Sequence, residues 1–128
     1  MFPVNIFRGN SSQGDVGPLT SMEFEILLSL AEGDRHGYAI LQDIAARSEG
    51  VTARPGTLYR AVSRLLQSEL IEEVDATSRG RQAGAGSDER RRYYSLTRAG
   101  RRVAELEARR LARQVRAARN RKLLKTGM

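Results

Sequence analysis

The 128-residue sequence predicts a mainly α, α+β fold: a winged helix-turn-helix followed by a long C-terminal dimerisation helix. Three observations predict it. The stretch Arg54-Pro55-Gly56-Thr57-Leu58-Tyr59-Arg60-Ala61-Val62-Ser63-Arg64-Leu65-Leu66 has one apolar and one basic face at helical spacing. Two helix patterns precede it, and two strand patterns separated by a Gly-rich loop follow it. A heptad of small and aliphatic residues then runs towards the C-terminus.

In the third helix, Leu58, Val62, Leu65 and Leu66 fall at i, i+4, i+7 and i+8, which is a single apolar stripe. Pro55 suits the first helical position, where its missing N–H costs nothing. The opposite side carries Gly56, Thr57, Arg60, Ser63, Arg64 and Gln67. Such a face can enter a DNA major groove. An ordinary amphipathic helix with a solvated polar face has the same pattern.

Residues 1–18 read as a flexible arm rich in turn residues (Asn10 to Asp15, then Gly17-Pro18), with an apolar tip at Phe2, Val4, Ile6 and Phe7. Thr20-Ser21-Met22-Glu23 is a capping box that opens a helix running to about Glu32 and ending at Gly33. Its apolar residues cover more than one face, so part of its surface is expected to meet a second subunit. Phe24, Leu27 and Leu28 are the candidates. A second helix is expected from about His36 to Ser48, with Leu41, Ile44 and Ala45 as its stripe and Tyr38 at one edge. Gly50 fits just past its end, and Val51-Thr52 reads as a very short strand.

Leu70 to Val74 and Arg91 to Leu96 read as strands, with Tyr94 and Leu96 sharing a face. Residues 76–90 form the loop between them, the wing. Thr97 is expected to cap a helix from about Arg98 to Leu123. Ala104, Ala108, Leu111, Val115 and Ala118 repeat at 4-3-4-3 spacing, a seam that a small domain cannot bury alone. A symmetric dimer is the natural outlet. Val103, Leu106, Leu111, Val115 and Ala118 are therefore interface candidates. The expected division is an arm (1–18), a DNA-binding domain (19–96), a dimerisation helix (97–124) and a disordered tail (125–128). Arg113, Arg116, Arg119, Arg121, Lys122 and Lys125 crowd the helix end. They suit either a second phosphate-contacting region or a solvated helix end.

Composition narrows the function. Lys and Arg total 22 against 15 Asp and Glu, a net charge of +7, with pI near 10.7. A polyanionic partner follows, nucleic acid first among them. Zero cysteines exclude disulfides and thiolate chemistry. No apolar run approaches the ~18–20 residues of a membrane span, and no secretory signal opens the chain, so the expected location is the cytoplasm. His36 is the sole histidine, too few ligands for a zinc site; a helix-start role is expected for it. No Gly-rich phosphate loop, nucleophile elbow or HExxH occurs. Neither an enzyme nor a cofactor is predicted.

His36-Gly37-Tyr38, then Pro55-Gly56-Thr57-Leu58-Tyr59, then Leu70-Ile71, then Arg90 through Gly100 (RRRYYSLTRAG) together resemble the PadR family of bacterial transcriptional regulators. The match covers about residues 19–115, in order and with the expected spacing, and the single C-terminal helix resembles the short-tailed branch. The resemblance implies a winged-helix homodimer that represses a promoter by binding a palindromic double-stranded DNA operator. It also implies release by a small hydrophobic or phenolic effector. The family's DNA-facing motif residues map onto Tyr38, Thr57 and Tyr59, with basic residues of the recognition helix and wing. Two departures stand out: Arg54 where many relatives carry a small residue, and a long Gly-rich wing.

The DNA-contact candidates are thus Tyr38, Arg54, Thr57, Tyr59, Arg60, Ser63 and Arg64, with Arg79, Arg81, Arg90 and Arg92 from the wing. The competing reading is a non-specific architectural or RNA-binding protein. The strands lack the exposed aromatic platform that stacks single-stranded bases. A protein-interaction scaffold is a third reading, which leaves the basic helix face unexplained.

Overall fold

Local capping chemistry sets where the helices begin. The structure, a computed structural model, describes residues 18–48, 54–74 and 92–125. Helix α1 (Ser21–Ala31) opens on the expected capping box. The Glu23 amide donates to Thr20 Oγ1 at 3.1 Å, and the Thr20 amide donates to Glu23 Oε1 at 2.9 Å. Strand β1 (Arg35–His36) leads into α2 (Gly37–Arg47). His36 caps α2, its Nδ1 accepting from the Ala39 amide at 3.2 Å, and its ring meets Tyr93 edge-on at 5.4 Å. Helix α3 (Pro55–Gln67) has Pro at its first position and no side-chain cap.

Strands β2 (Ile71–Val74) and β3 (Tyr93–Leu96) follow, then α4 (Arg98–Asn120). Thr97 caps α4: its Oγ1 accepts from the Gly100 amide at 2.9 Å and donates to the Glu69 carbonyl at 2.9 Å. A side chain at Gly100 would run into the Leu70 carbonyl and the Leu96 side chain. Glycine there lets α4 start hard against the end of α3.

The sheet is antiparallel with order β1-β3-β2. Arg35 lies opposite Tyr94, and Ile71 through Val74 lie opposite Leu96 through Tyr93. Strand β1 was not expected from the sequence. Two polar-headed residues are too short to show period-2 alternation; pairing with β3 makes them a strand. The strand expected at Val51-Thr52 lies outside the described residues. Helix α4 ends at Asn120, three residues earlier than expected, where Lys122 turns into the left-handed region (φ 62°) and the Leu123 amide returns to the Ala118 carbonyl.

The core joins Ile26, Leu27 and Leu30 of α1 to Ile40 and Ile44 of α2. Leu58, Ala61, Val62 and Leu65 of α3 close it, with Leu70, Ile71 and Tyr94 from the sheet side. Each large aliphatic side chain buried there contributes roughly 1.5–3 kcal/mol. On α2 the buried face is Gly37, Ile40 and Ile44, one step round from the expected stripe: Leu41 is half-buried and Ala45 exposed. Leu27 also needs correcting. It is 0% exposed within its own chain, so it has no surface to offer a partner subunit. Helix α1 is apolar nearly all round, and periodicity could not say which of its faces the other helices cover.

Candidate nucleic-acid interface

The outward face of α3 is built from a helix whose apolar side is fully used. Leu58, Ala61, Val62 and Leu65 are buried, and that leaves Gly56, Thr57, Arg60, Ser63, Arg64 and Gln67 exposed. No acidic residue stands in the first turn of α3, and no side chain caps it. Among the described residues no side chain takes up its first-turn amides, and the positive end of its dipole lies beside Arg54, a combination suited to an anion. Arg60 lies back along this face: a Cβ on Gly56 would stand 3.8 Å from the Arg60 guanidinium.

Two tyrosines extend the face towards α2. Tyr59 is 47% exposed and Tyr38 57% exposed. The phenol of Tyr59 lies across Gly37, so close that a Cβ there would stand 2.8 Å from its Cε1 and Cζ. This seat holds the Tyr59 hydroxyl at the first turn of α2, the turn that carries Tyr38. The hydroxyl end of the ring packs there, and the rest of the side chain accounts for the exposure of the residue. The only sequence signal for the seat is a glycine at the first position of α2.

Arg64 is differently engaged. Its Nε donates to Glu23 Oε2 at 2.7 Å, which ties α3 to α1. Glu23 is buried (8% exposed), so its carboxylate is satisfied by Arg64 on one oxygen and the Thr20 amide on the other. The sequence face contained Arg64 but gave no sign of a partner 41 residues away. Arg92 is exposed and pairs across the sheet with Glu73 at 3.2 Å. Arg79, Arg81 and Arg90 lie outside the described residues.

The expected interface residues divide. Phe24, Leu28 and Leu111 line a groove of about 320 Å³ between α1 and α4, with Glu25, Glu107 and Arg110 at its polar margin. Val103 is half-buried against its own chain's core. Ala118 is half-buried, while Leu28, Leu106 and Val115 are exposed. At 100° per residue, Leu106 and Val115 lie on opposite sides of α4, so one seam does not contain both.

Among the described residues, no group of three or more His, Cys, Asp or Glu is placed to hold a metal ion. No described helix is long and apolar enough to cross a membrane.

Comparison with known proteins agrees with this architecture. A curated relative, an uncharacterised 37.1 kDa protein in transposon TN4556 of Streptomyces fradiae, is 39% identical over 88 residues, 69% of this chain. The chain spans only 22% of that relative's length. Among solved structures, a PadR family transcription regulator from Clostridium difficile R20291 superposes with a TM-score of 0.66 at 25% identity, covering 82% of this chain and all of that one. Lactococcus lactis ZitR, solved as a mutant in complex with DNA, gives a TM-score of 0.57 at 22% identity, over 96% of this chain and 79% of that one; this likeness is one of fold. Residues 26–106 match the family described as "Transcriptional regulator PadR-like family". That span runs from the core of α1 through α3 to the first turns of α4, and by it the chain belongs to the PadR-like family of transcriptional regulators, which are not enzymes.

Proposed function

We propose that this regulator binds duplex DNA in a sequence-specific way through the outward face of α3. The observation that carries the reading is a helix buried on one side, with Thr57, Arg60 and Ser63 exposed on the other and an N-terminus free of acidic residues. Arg60 and Ser63 supply donors for base edges. Thr57, Arg54 and the first-turn amides suit phosphate. Tyr38 and Tyr59 add phenolic hydroxyls at the edge of the same surface. The DNA complex of the ZitR neighbour, a protein of the same fold, supports the reading.

The finer reading is a homodimeric repressor acting in the cytoplasm on a palindromic operator. Exposed Leu28 and Val115, beside Leu111, favour pairing through α4 and one side of α1. Two α3 helices would then read half-sites about one helical turn apart, ~34–36 Å. A small effector with both apolar and polar groups would suit the groove between α1 and α4, where Phe24, Leu28 and Leu111 stand beside Glu25, Glu107 and Arg110.

Fluorescence anisotropy tests the core of this. Duplex DNA from immediately upstream of the protein's own gene is compared with a scrambled duplex at ~50 and ~200 mM salt. Retention of tight binding at the higher salt on the native sequence alone is expected. Equal, salt-sensitive binding to both would contradict sequence-specific regulation at that site and favour a non-specific architectural role.

A further inference from the structure

The largest share of this chain's net positive charge lies outside α3, in the C-terminal segment. Residues 98–125 hold eleven basic and two acidic side chains, a net of +9. The whole chain is +7, so the other hundred residues together carry −2. The long-range attraction to polyanions therefore comes mainly from this C-terminal segment, and α4 itself carries eight basic and two acidic side chains.

Within α4 the charge is ordered. Gly100 is buried, Val103 and Ala104 pack on the core, and Glu107 and Leu111 line the groove with α1. These residues define the side turned to the domain. At 100° per residue, Arg98, Arg102, Arg109, Arg113 and Arg116 fall within an arc of about 60° on the far side. All five are exposed, and none has a hydrogen bond or ion pair among the described residues. Glu105 stands at the edge of the arc. Glu107 is occupied by Arg110, at 2.7 Å. Like charges at i,i+3 and i,i+4 oppose helix stability unless something outside the chain neutralises them.

The arc runs about 27 Å along the helix, from the 1.5 Å rise per residue. Guanidinium groups are planar forks that match phosphate oxygens, and a duplex backbone offers a dense row of phosphates. Leu111 and Val115 lie about 100° or more around the helix from the arc, so pairing through them leaves it open. Helix α1 packs against both α3 and α4, and the arc and the α3 face are separate surfaces.

We propose that this arginine arc is a second, sequence-independent binding surface for the phosphate backbone of duplex DNA. One protein then holds DNA by two surfaces: α3 selects the sequence, and α4 supplies most of the salt-dependent affinity and can take a second duplex segment. The inference extends the reading of the protein as a DNA binder without depending on which sequence α3 prefers.

The test compares the full-length protein with R102Q/R109Q/R113Q/R116Q and with the four matching Arg→Lys changes. A random-sequence duplex is titrated by anisotropy from ~50 to ~300 mM salt. Loss of four phosphate contacts should lower the slope of log K against log salt by about 3–4 per chain, and affinity near 100 mM salt should fall roughly tenfold or more. The Lys variant should keep the slope. Preference for the upstream sequence over a scrambled one reports α3 and should survive in the Gln variant, so the two readings fail separately. A Gln variant with unchanged circular dichroism and an unchanged slope would overturn the proposal. So would a Lys variant that loses as much as the Gln variant, or poly-L-glutamate competing as well as DNA.

Discussion

The phenol of Tyr59 rests on Gly37, joining the exposed edge of α3 to the first turn of α2 through a contact that only a residue without a side chain permits. Gly37→Ala should therefore displace the Tyr59 ring while costing little stability. The ring end is free to swing, and alanine is up to ~1 kcal/mol better than glycine in a helix. The melting temperature should shift by only a few degrees, and DNA affinity should fall. The double variant G37A/Y59A should bind no worse than Y59A alone, because both changes act on one contact. Additive losses would show that Gly37 acts in some other way.

Arg64 is expected to report on stability before it reports on DNA. Removing it leaves the buried Glu23 carboxylate with the Thr20 amide as its remaining partner. Arg64→Gln should cost about 1–2 kcal/mol in chemical denaturation. The pair E23Q/R64Q should show a coupling of ~1 kcal/mol or more, discounted for the half-exposed guanidinium. Additive single effects would mean that the ion pair contributes nothing to holding α3 on α1.

Glu69 sits in the left-handed region at φ 62°. It ends α3 in a Schellman turn: its amide returns to the Leu66 carbonyl and the Leu70 amide to the Leu65 carbonyl, both at 3.0 Å. A side chain there costs about 1–2 kcal/mol relative to glycine, partly offset by the greater freedom of glycine in the unfolded chain. Glu69→Gly should raise stability by roughly 0.5–1 kcal/mol. A lowered melting temperature would mean that the Glu69 side chain makes a favourable contribution that its exposed position does not suggest.

Asp43 links α2 to α1, accepting from Ser29 Oγ at 2.8 Å and from Arg47 Nη2 at 3.1 Å. Arg47 continues to Glu25. Burial alone would raise the Asp43 carboxyl. The hydrogen bonds from Ser29 and Arg47 and the nearby charges of Arg47 and Arg35 outweigh it, and hold the group below its ordinary 3.8. A depressed folded value gives stability that is present above the ordinary value and lost as pH falls through the folded one. The stability gap between wild type and Asp43→Asn should therefore be flat between about pH 5 and 7 and shrink below about pH 4. A gap that closes already at pH 6 would contradict the assignment.

Much of this was legible in the residues. The Thr20/Glu23 box, the Pro55 start, the Thr97 cap and the stripe of α3 are local signals, and each produced the element it announced. The α3 face was legible for the same reason, because one helix supplies it. What stayed hidden is contact between distant segments. Glu23 with Arg64, Gly37 with Tyr59 and Gly100 with Leu70 each pair residues that no periodicity connects. Strand β1 exists only because β3 lies beside it. The mistake over Leu27 came from a helix apolar on nearly every side, where pattern cannot separate core from surface.

The most direct measurement is the binding of Arg60→Ala to the upstream duplex and to its scrambled counterpart, beside wild type, at ~200 mM salt where non-specific attraction is weakened. Arg60 is exposed on α3 and belongs to no ion pair among the described residues, so its loss should leave the fold intact. If the outward face of α3 reads DNA, the substitution should cost about 1–3 kcal/mol on the native sequence and little on the scrambled one. Equal affinity of Arg60→Ala and wild type for the native sequence would contradict the central claim.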